Sequence, residues 1–465
     1  MKVGFITLGC RVNRYETDAV REQFIENGFE AVPSEMNDKA DIIVVNTCTV
    51  TSEADRQSRQ TLRKSLKLNP NVILCAMGCA VEMTDGVVDA DIICGTRDKH
   101  ELVSKVKEYL TIRTNPNDTT SSRGVHHTRP EVSTTDTYQE FGTTLSPTGT
   151  RAFVKIEDGC NNFCSYCIIP YARGRVVSRD ADNILAEVAY LAAQGYKEII
   201  LTGIHLCSYG LDKDQHGLFS SLTPLEKQLF AQIGAFGLLV EKISQIEGVE
   251  RIRLGSLEPK TLSSEFLRSL ANNPKFCPHF HISLQSGCDT VLSRMNRKYN
   301  TDEYSEKVKL IESLWEDFSL TTDVIAGFPE ETYEEHKATL EFVDRLPFAK
   351  LHVFPYSLRE GTKASKMAQL DKKTKKDRAR EIIEISDRHE VSFANHFVGR
   401  NVEILVEQID DNYMYGYSKE YVYSKICRSE DELVRKMELD KVGEIVKALV
   451  VTADDANLIC KIDIL

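Results

Sequence analysis

Asp158-Gly-Cys-Asn-Asn-Phe-Cys-Ser-Tyr-Cys167 sets three cysteines, Cys160, Cys164 and Cys167, at a C-x3-C-x2-C spacing. Thiolates this close on a short loop reach three irons of one [4Fe–4S] cube and leave the fourth iron open to a small molecule. A zinc loop or three unrelated thiols are the competing readings, but zinc asks for four ligands, as paired cysteines or with histidines. No histidine lies near the loop. Directly before it runs the apolar pattern Ala152-Phe-Val-Lys-Ile156, so the loop begins where a strand ends.

Working outward, strand patterns recur at 198–203, 251–256, 279–285, 320–327 and 351–357, with helical patterns between them. In 180–195, for example, Ile184, Leu185, Val188, Leu191 and Ala192 form one stripe that Gly195 can end. Six β/α units predict a partial (β/α)6 barrel over 148–392, with its chemistry at the C-terminal strand ends, where the cysteine loop lies. Residues 211–237 read as an insertion before the helix that leads to the third strand. A run of basic residues at 372–380 opens the last helix; it is either a solvated face or a contact for a polyanion.

Residues 1–112 alternate near-continuous apolar runs (2–8, 41–46, 71–77, 91–94) with amphipathic stretches at about 15–27, 52–68 and 98–110. That is the pattern of a doubly wound α/β domain with a parallel sheet buried on both faces. Cys10, Cys48 and Cys79 each follow one of the first three strands, at sequence separations of 38 and 31. In a parallel sheet these strand ends share one edge, where such folds bind ligands. Convergence on a metal and ordinary buried cysteines both fit that placement. Cys75 and Cys94 read as structural, as do Cys207, Cys277, Cys288, Cys427 and Cys460, which have no ligand spacing. Residues 113–147 are rich in Thr, Ser, Asn, Asp and Pro and read as a linker. In 396–465, short strand patterns suggest a small β-barrel. This tail carries nine Lys/Arg against fourteen Asp/Glu from 398 onward, so a purely electrostatic grip on RNA is not expected there. Tyr413, Tyr415, Tyr417, Tyr421 and Tyr423 are either base-stacking platforms or ordinary strand aromatics.

The composition, 42% apolar and 28% charged, is that of a soluble globular chain. No window approaches the ~18–20 apolar residues of a membrane span. The start, MKVGFITL, has no signal-peptide shape. Thirteen cysteines, an odd number, suit metal or redox chemistry in the cytoplasm better than a disulfide framework. A net charge of -12 argues against a general nucleic-acid binder but not against one local basic surface.

The C-x3-C-x2-C loop after a first barrel strand resembles that of radical S-adenosylmethionine enzymes. Cys167-Ile-Ile-Pro-Tyr-Ala-Arg-Gly-Arg175 with Ser178-Arg179 narrows the resemblance to the methylthiotransferases. So do Leu8-Gly-Cys-Arg-Val-Asn13, Asn46-Thr-Cys48, Gly78-Cys79, Leu284-Gln-Ser-Gly287 and Thr322-Asp-Val-Ile-Ala-Gly-Phe-Pro329. Leu201-Thr-Gly-Ile-His-Leu206, Ser256-Leu-Glu-Pro259, Ser283-Leu-Gln-Ser-Gly-Cys-Asp289 and Met295-Asn-Arg-Lys-Tyr299 look most like the branch acting on N6-threonylcarbamoyladenosine in tRNA. The tail is similar to a TRAM domain. Two features depart from the family: Glu330 stands where it usually has Gly, leaving Glu331 as the matching acid, and the 211–237 stretch is long.

The resemblance implies two [4Fe–4S] clusters, one on Cys160, Cys164 and Cys167 and one on Cys10, Cys48 and Cys79, and S-adenosylmethionine as radical source and methyl donor. It implies methylthiolation at C2 of the adenosine at position 37, on a tRNA anticodon stem-loop, with an electron donor such as flavodoxin or ferredoxin; it names no sulfur source. Rival readings are N6-isopentenyladenosine, a ribosomal-protein aspartate, and a non-catalytic iron–sulfur protein that binds RNA or carries electrons. Candidate cofactor contacts are Thr202 and Gly203 (amino group), Glu258 (ribose), Gln285 and Ser286 (polar contacts), and Ile325 and Gly327 (adenine). Arg173 and Arg175 are candidates for a carboxylate of cofactor or threonyl group. His205 reads as a rim residue. Arg294, Arg297, Lys298 and the 372–380 run are candidates for the RNA backbone.

Overall fold

A computed structural model of the chain describes residues 1–113, 125–127, 137–141, 144, 147–213, 217–429 and 438–462. The expected linker, 113–147, falls largely outside the described residues.

The N-terminal sheet consists of β1 (Lys2–Thr7), β2 (Glu30–Ala31), β3 (Ile42–Thr47), β4 (Ile73–Gly78) and β5 (Ile92–Cys94). It is parallel throughout, in the order β2-β1-β3-β4-β5. Every residue of β3 and β4 is buried, because helices cover both faces. Ala19, Val20 and Phe24 of α1 (Arg11–Glu26) and Leu102, Val103 and Val106 of α3 (Leu102–Arg113) pack on one face; Leu62 of α2 (Ser52–Leu68) packs on the other. α1 begins earlier than its apolar pattern because its first turns bury polar residues, Asn13, Glu16, Thr17 and Asp18.

The central domain has the six expected parallel strands: β6 (Arg151–Lys155), β7 (Glu198–Thr202), the third strand in two pieces, β8 (Arg251–Leu254) and β9 (Ser256–Leu257), then β10 (His279–Ile282), β11 (Ser319–Ala326) and β12 (Phe348–Pro355). The third strand breaks at Gly255: β8 pairs with β7 and β9 with β10. A Cβ at Gly255 would lie 2.9 Å from Leu206 Cδ1 and 3.2 Å from the Leu201 carbonyl oxygen, so the bend needs glycine. α4 (Ala181–Ala193), α5 (Pro224–Ser244), α6 (Ser264–Asn272), α7 (Thr301–Leu314), α8 (Tyr333–Arg345) and α9 (Lys372–His396) follow the strands. Ala152, Val154, Ile199, Leu201, Ile252, Phe280 and Ile282 join the core beneath these helices. By alternation, Phe153, Lys155, Glu198, Arg253, His279 and His281 face the interior.

One expectation is corrected here. The 211–237 stretch is not an insertion throughout: α5 itself starts at Pro224, capped by Thr223 and Glu226, and bends at Gly234 (φ 71°). That glycine interrupts the periodicity and hides the helix's first half. Glu330, the departure noted above, has φ 62°, a left-handed conformation that favours glycine.

The tail is a closed five-stranded barrel of β13 (Asn401–Ile409), β14 (Tyr413–Ser418), β15 (Tyr423–Cys427), β16 (Ile445–Asp454) and β17 (Asn457–Ile462), in the order β13-β14-β15-β17-β16. The N-terminal domain bridges both end strands of the open central barrel. On one side Lys155 of β6 binds Glu16 of α1. On the other, past β12, Arg359 pairs with Asp55 and the Ser52 amide donates to Ser357 Oγ.

Candidate active site

Beyond β6, Glu157–Asp158 pairs antiparallel with Val177–Ser178, closing the cysteine loop into a flap. Gly159 (φ 78°) makes the turn; a Cβ there would sit 2.0 Å from the Arg175 carbonyl oxygen. The Cys160 amide donates to the Gly174 carbonyl at 3.1 Å and the Cys167 amide to Cys164 O at 2.9 Å. Burial pushes the Cys160 thiol far up and Cys167 up to about 12, and each is raised further by its neighbouring thiols. Such a donor set is stable as thiolates only when a metal supplies the opposing charge. The Asn162 amide reaches Cys160 Sγ at 3.5 Å, and Arg297 Nη1 reaches Cys164 Sγ at 3.1 Å. Both donors suit a cluster's sulfur ligands.

The N-terminal cysteines meet as the sheet order requires. Thr47 pairs with Gly78, so Cys48 and Cys79 leave adjacent strands side by side. Cys10 caps α1 after the neighbouring β1. With strands ~4.8 Å apart, three consecutive strand ends span about two spacings. Asn13 Nδ2 donates to Leu8 O and Thr47 O, at 2.7 and 3.0 Å. Thr47 Oγ1 accepts from the Val81 amide and donates to Met77 O. These bonds lace the three turns together. A Cβ at Gly9 would lie 2.6 Å from Cys48 Sγ. Burial raises the Cys48 thiol to about 11 and the Cys79 thiol also upward; Cys10 and Cys79 add to the rise at Cys48. Among the described residues no three His, Cys, Asp or Glu side chains converge on one point as ligands of a single ion would.

Between the two triads lies a buried charge network that the sequence did not announce. Glu16, one and a half turns after Cys10, accepts from Lys99, from Lys155 Nζ (2.8 Å) and from Arg173 Nη1 (2.8 Å). Lys155 and Arg173 also bind Asp158, at 2.6 and 3.0 Å, and Arg173 Nη2 donates to Asn13 Oδ1 at 2.9 Å. Arg173 is therefore not free for a ligand carboxylate; its partners are internal. Arg175 is exposed and lies over the Phe163 ring.

At the barrel rim, Glu258 accepts from Asn162 Nδ2 (2.9 Å) and Arg297 Nη2 (2.7 Å) and lies 3.1 Å from His205 Nε2. Burial opposes its ionisation, but His205 and Arg297 outweigh that and bring it down to about 2. Glu258 thus ties the cysteine loop to the rim, and His205 is a rim residue as expected. Cys207 Sγ accepts from the Glu258 amide, a structural role. Arg297 is buried at the cluster loop, so its assignment to the RNA backbone is corrected. Arg294 is held by Glu335, and Lys298 is bonded to Asn296. Thr202 ends β7 in register with Lys155, and the next residue, Gly203, has room only for hydrogen: a Cβ would meet Glu157 Oε1 at 2.1 Å. Gln285 (φ 70°) is bridged to β11 and buried at the rim. The hydroxyl of Ser286 pairs with Thr339 of α8, so it faces a helix and not the cofactor side. Ile325 packs in one cluster with Tyr166 of the cysteine loop. The Cβ direction of Gly327 (φ 68°) faces Lys375 of α9, and its amide donates to Glu331 Oε2; this glycine admits the helix. Within 372–380, Arg378 is bound to Glu331, and Lys373 and Arg380 pair along the helix with Asp377.

Residues 154–343 match the radical SAM superfamily, and residues 2–92 match a family described as uncharacterized protein family UPF0004. A protein of Bacillus subtilis named threonylcarbamoyladenosine tRNA methylthiotransferase MtaB is 35% identical, over 97% of this chain and 94% of its own length. One of the same name from Aquifex aeolicus is 39% identical, over 89% and 94%. A tRNA-2-methylthio-N(6)-dimethylallyladenosine synthase of Thermoanaerobacter is 33% identical, over 87% and 81%. Among solved structures, the radical S-adenosylmethionine methyltransferase TsrM from Kitasatospora setae shares the fold: TM-score 0.52 at 16% identity, over 78% of this chain and 75% of that one. The partial barrel with its cysteine loop defines a radical S-adenosylmethionine enzyme. The chain belongs to the radical S-adenosylmethionine methylthiotransferase family.

Proposed function

We propose that this enzyme converts N6-threonylcarbamoyladenosine at position 37 of tRNA, beside the anticodon, to its 2-methylthio derivative, with one [4Fe–4S] cluster on each cysteine triad. The observation that supports this most is the pairing of two triads in one chain, one at the barrel mouth and one at the facing sheet edge, in a sequence alignable end to end with proteins named for this reaction. Once bound, the clusters and S-adenosylmethionine supply a 5′-deoxyadenosyl radical, sulfur and a methyl group. The chain's own residues position these groups. Arg297 spans Cys164 and Glu258, holding the loop against the rim. The Glu16 network fixes the distance between the triads, so that an extruded base lies between them. Single-stranded anticodon loops present such bases for readout. Among the described residues no helix is long and apolar enough to cross a membrane. We place the enzyme in the cytoplasm, reduced by a flavodoxin- or ferredoxin-type donor.

Nucleoside analysis of tRNA from a deletion strain tests the substrate. The 2-methylthio-threonylcarbamoyl nucleoside should vanish; its persistence, with loss of the isopentenyl counterpart instead, would show the rival specificity. Reconstituted protein incubated with S-adenosylmethionine and dithionite should yield 5′-deoxyadenosine, which a non-catalytic iron–sulfur protein would not.

A further inference from the structure

A cavity of about 560 Å³ opens at the N-terminal ends of β10, β11 and β12, between them and the tail barrel. Its wall is built for hydrogen bonding: Arg11, His279, His281, Thr321, His352 and Tyr421 all line it. Arg11 directly follows Cys10, so the cavity starts beside the N-terminal triad; a second hollow, lined by Gly9, Cys10, Arg11 and Phe153, adjoins it there.

Most of this wall is already partnered. His281 uses both ring nitrogens, Nδ1 with Thr321 Oγ1 at 3.0 Å and Nε2 with Asp323 Oδ2 at 3.4 Å. His279 Nε2 meets the same Thr321 hydroxyl at 3.2 Å. Of the two acids nearby, Glu390 is paired with Lys350 at 2.8 Å, and Asp323 is engaged by the His281 ring. His279 Nδ1 and Ser319 Oγ are buried in this wall without partners among the described residues, and Arg11 and His352 also keep bonding capacity. The His352 ring stands 5.6 Å from that of His281 and has no hydrogen-bond partner among the described residues. Arg11 makes one long bond, Nη2 to Tyr421 Oη at 3.4 Å, leaving other guanidinium donors free of a bond that close. Burial holds His352 below the usual imidazole range, so it enters as a neutral hydrogen-bonding ring and Arg11 supplies the charge.

We infer that this cavity is the specificity pocket for the N6 substituent, with Arg11 and His352 receiving the carboxylate and hydroxyl of its threonyl end. The inference rests on the substrate proposed above and goes further by naming the residues that read it. An apolar isopentenyl group would bury these donors without partners. A site built for hydrogen bonds rejects such an analogue far more strongly than an apolar pocket rejects a polar one.

Binding of reconstituted holoenzyme to three anticodon stem-loops, carrying threonylcarbamoyladenosine, isopentenyladenosine or plain adenosine, tests this by fluorescence anisotropy. Wild type should prefer the first. His352→Phe and Arg11→Gln should each weaken that RNA roughly ten- to hundredfold, the worth of a hydrogen bond to a charged group, while plain-adenosine RNA binds as before. Iron content and melting temperature establish that the variants are folded, and His352→Gln, which keeps a donor and shape, should restore part of the preference. A wild type that binds all three RNAs alike overturns the substrate reading and this inference with it. A selective wild type whose variants keep their preference, or lose affinity for all three RNAs equally, overturns the pocket assignment alone.

Discussion

Glu16 carries no motif, yet its carboxylate is the hub at which the two halves of the site meet. Burial opposes its ionisation, but Arg173, Lys155 and Lys99 together hold it well below the ordinary carboxylate range. Counting Asp158, the network has three cations and two anions, an excess of one positive charge beside two sets of thiolates. That excess would favour an anionic cofactor bound at either triad. Glu16→Gln would leave Lys99, Lys155 and Arg173 buried with only Asp158 to balance them. Breaking a buried charge set in this way costs about 3–5 kcal/mol. The melting temperature should fall by several degrees, and a variant that melts with wild type would refute the network's role. Cys160, Cys164 and Cys167 stood out because residue type and spacing on one loop point to a ligand set; for Cys10, Cys48 and Cys79 spacing left ordinary buried cysteines open, and only the family resemblance singled them out. Arg173 was misjudged because its partner lies 157 residues upstream, and only the packing of α1 against β6 brings the two together.

Whole elements were more readable than single contacts. Runs of apolar residues marked β1, β3, β4 and the barrel strands to within a few residues, because a sheet buried on both faces leaves little room for polar side chains. Breaks within an element escaped: the third barrel strand divides at Gly255, and α5 bends at Gly234. Each is a glycine whose geometric demand is set by neighbours distant in sequence. Gly9 joins β1 to α1 under the same kind of demand. At φ 93° any side chain is strained, and a methyl group would press on the Cys48 sulfur. Gly9→Ala should therefore lose about half the iron of wild type, matching the Cys10/Cys48/Cys79 triple alanine variant, while the cluster on Cys160, Cys164 and Cys167 stays loaded and still yields 5′-deoxyadenosine. Full iron content in either variant would remove the second cluster from the assignment.

At the scale of the molecule, the tail barrel is a fixed part of the enzyme. Arg251 Nη2 donates to Glu403 O at 2.8 Å, Arg253 Nη1 to Lys419 O at 3.1 Å, and Arg151 pairs with Glu407 at 2.6 Å. Tyr421 (φ 72°) stacks between His279 and Tyr417, both at 4.7 Å, with Arg253 over its ring. Two of the five tyrosines that the sequence left as RNA platforms or ordinary strand aromatics thus serve the domain seam, leaving Tyr413, Tyr415 and Tyr423 as a partly exposed row. Strand patterning reveals an aromatic but not which domain it faces. Glu198 of β7 holds the arginines of this seam, binding Arg253 Nε at 2.8 Å. Burial opposes its ionisation, yet Arg253 and Arg251 depress its pKa below that of a free glutamate. Its contribution is therefore complete above about pH 4.3, the unfolded value, and is lost as pH falls through the lower folded value. Glu198→Gln leaves Arg253 buried without its carboxylate partner and Arg251 with only Glu403 at 4.0 Å, at a cost of about 3–5 kcal/mol concentrated on the seam. Limited proteolysis at neutral pH should then cut the variant between α9 and β13 and release the tail barrel. Wild type should become cleavable there only in acid, as measured with an acid-active protease. Equal resistance of variant and wild type would mean that the arginine bonds to backbone carbonyls hold the tail without Glu198.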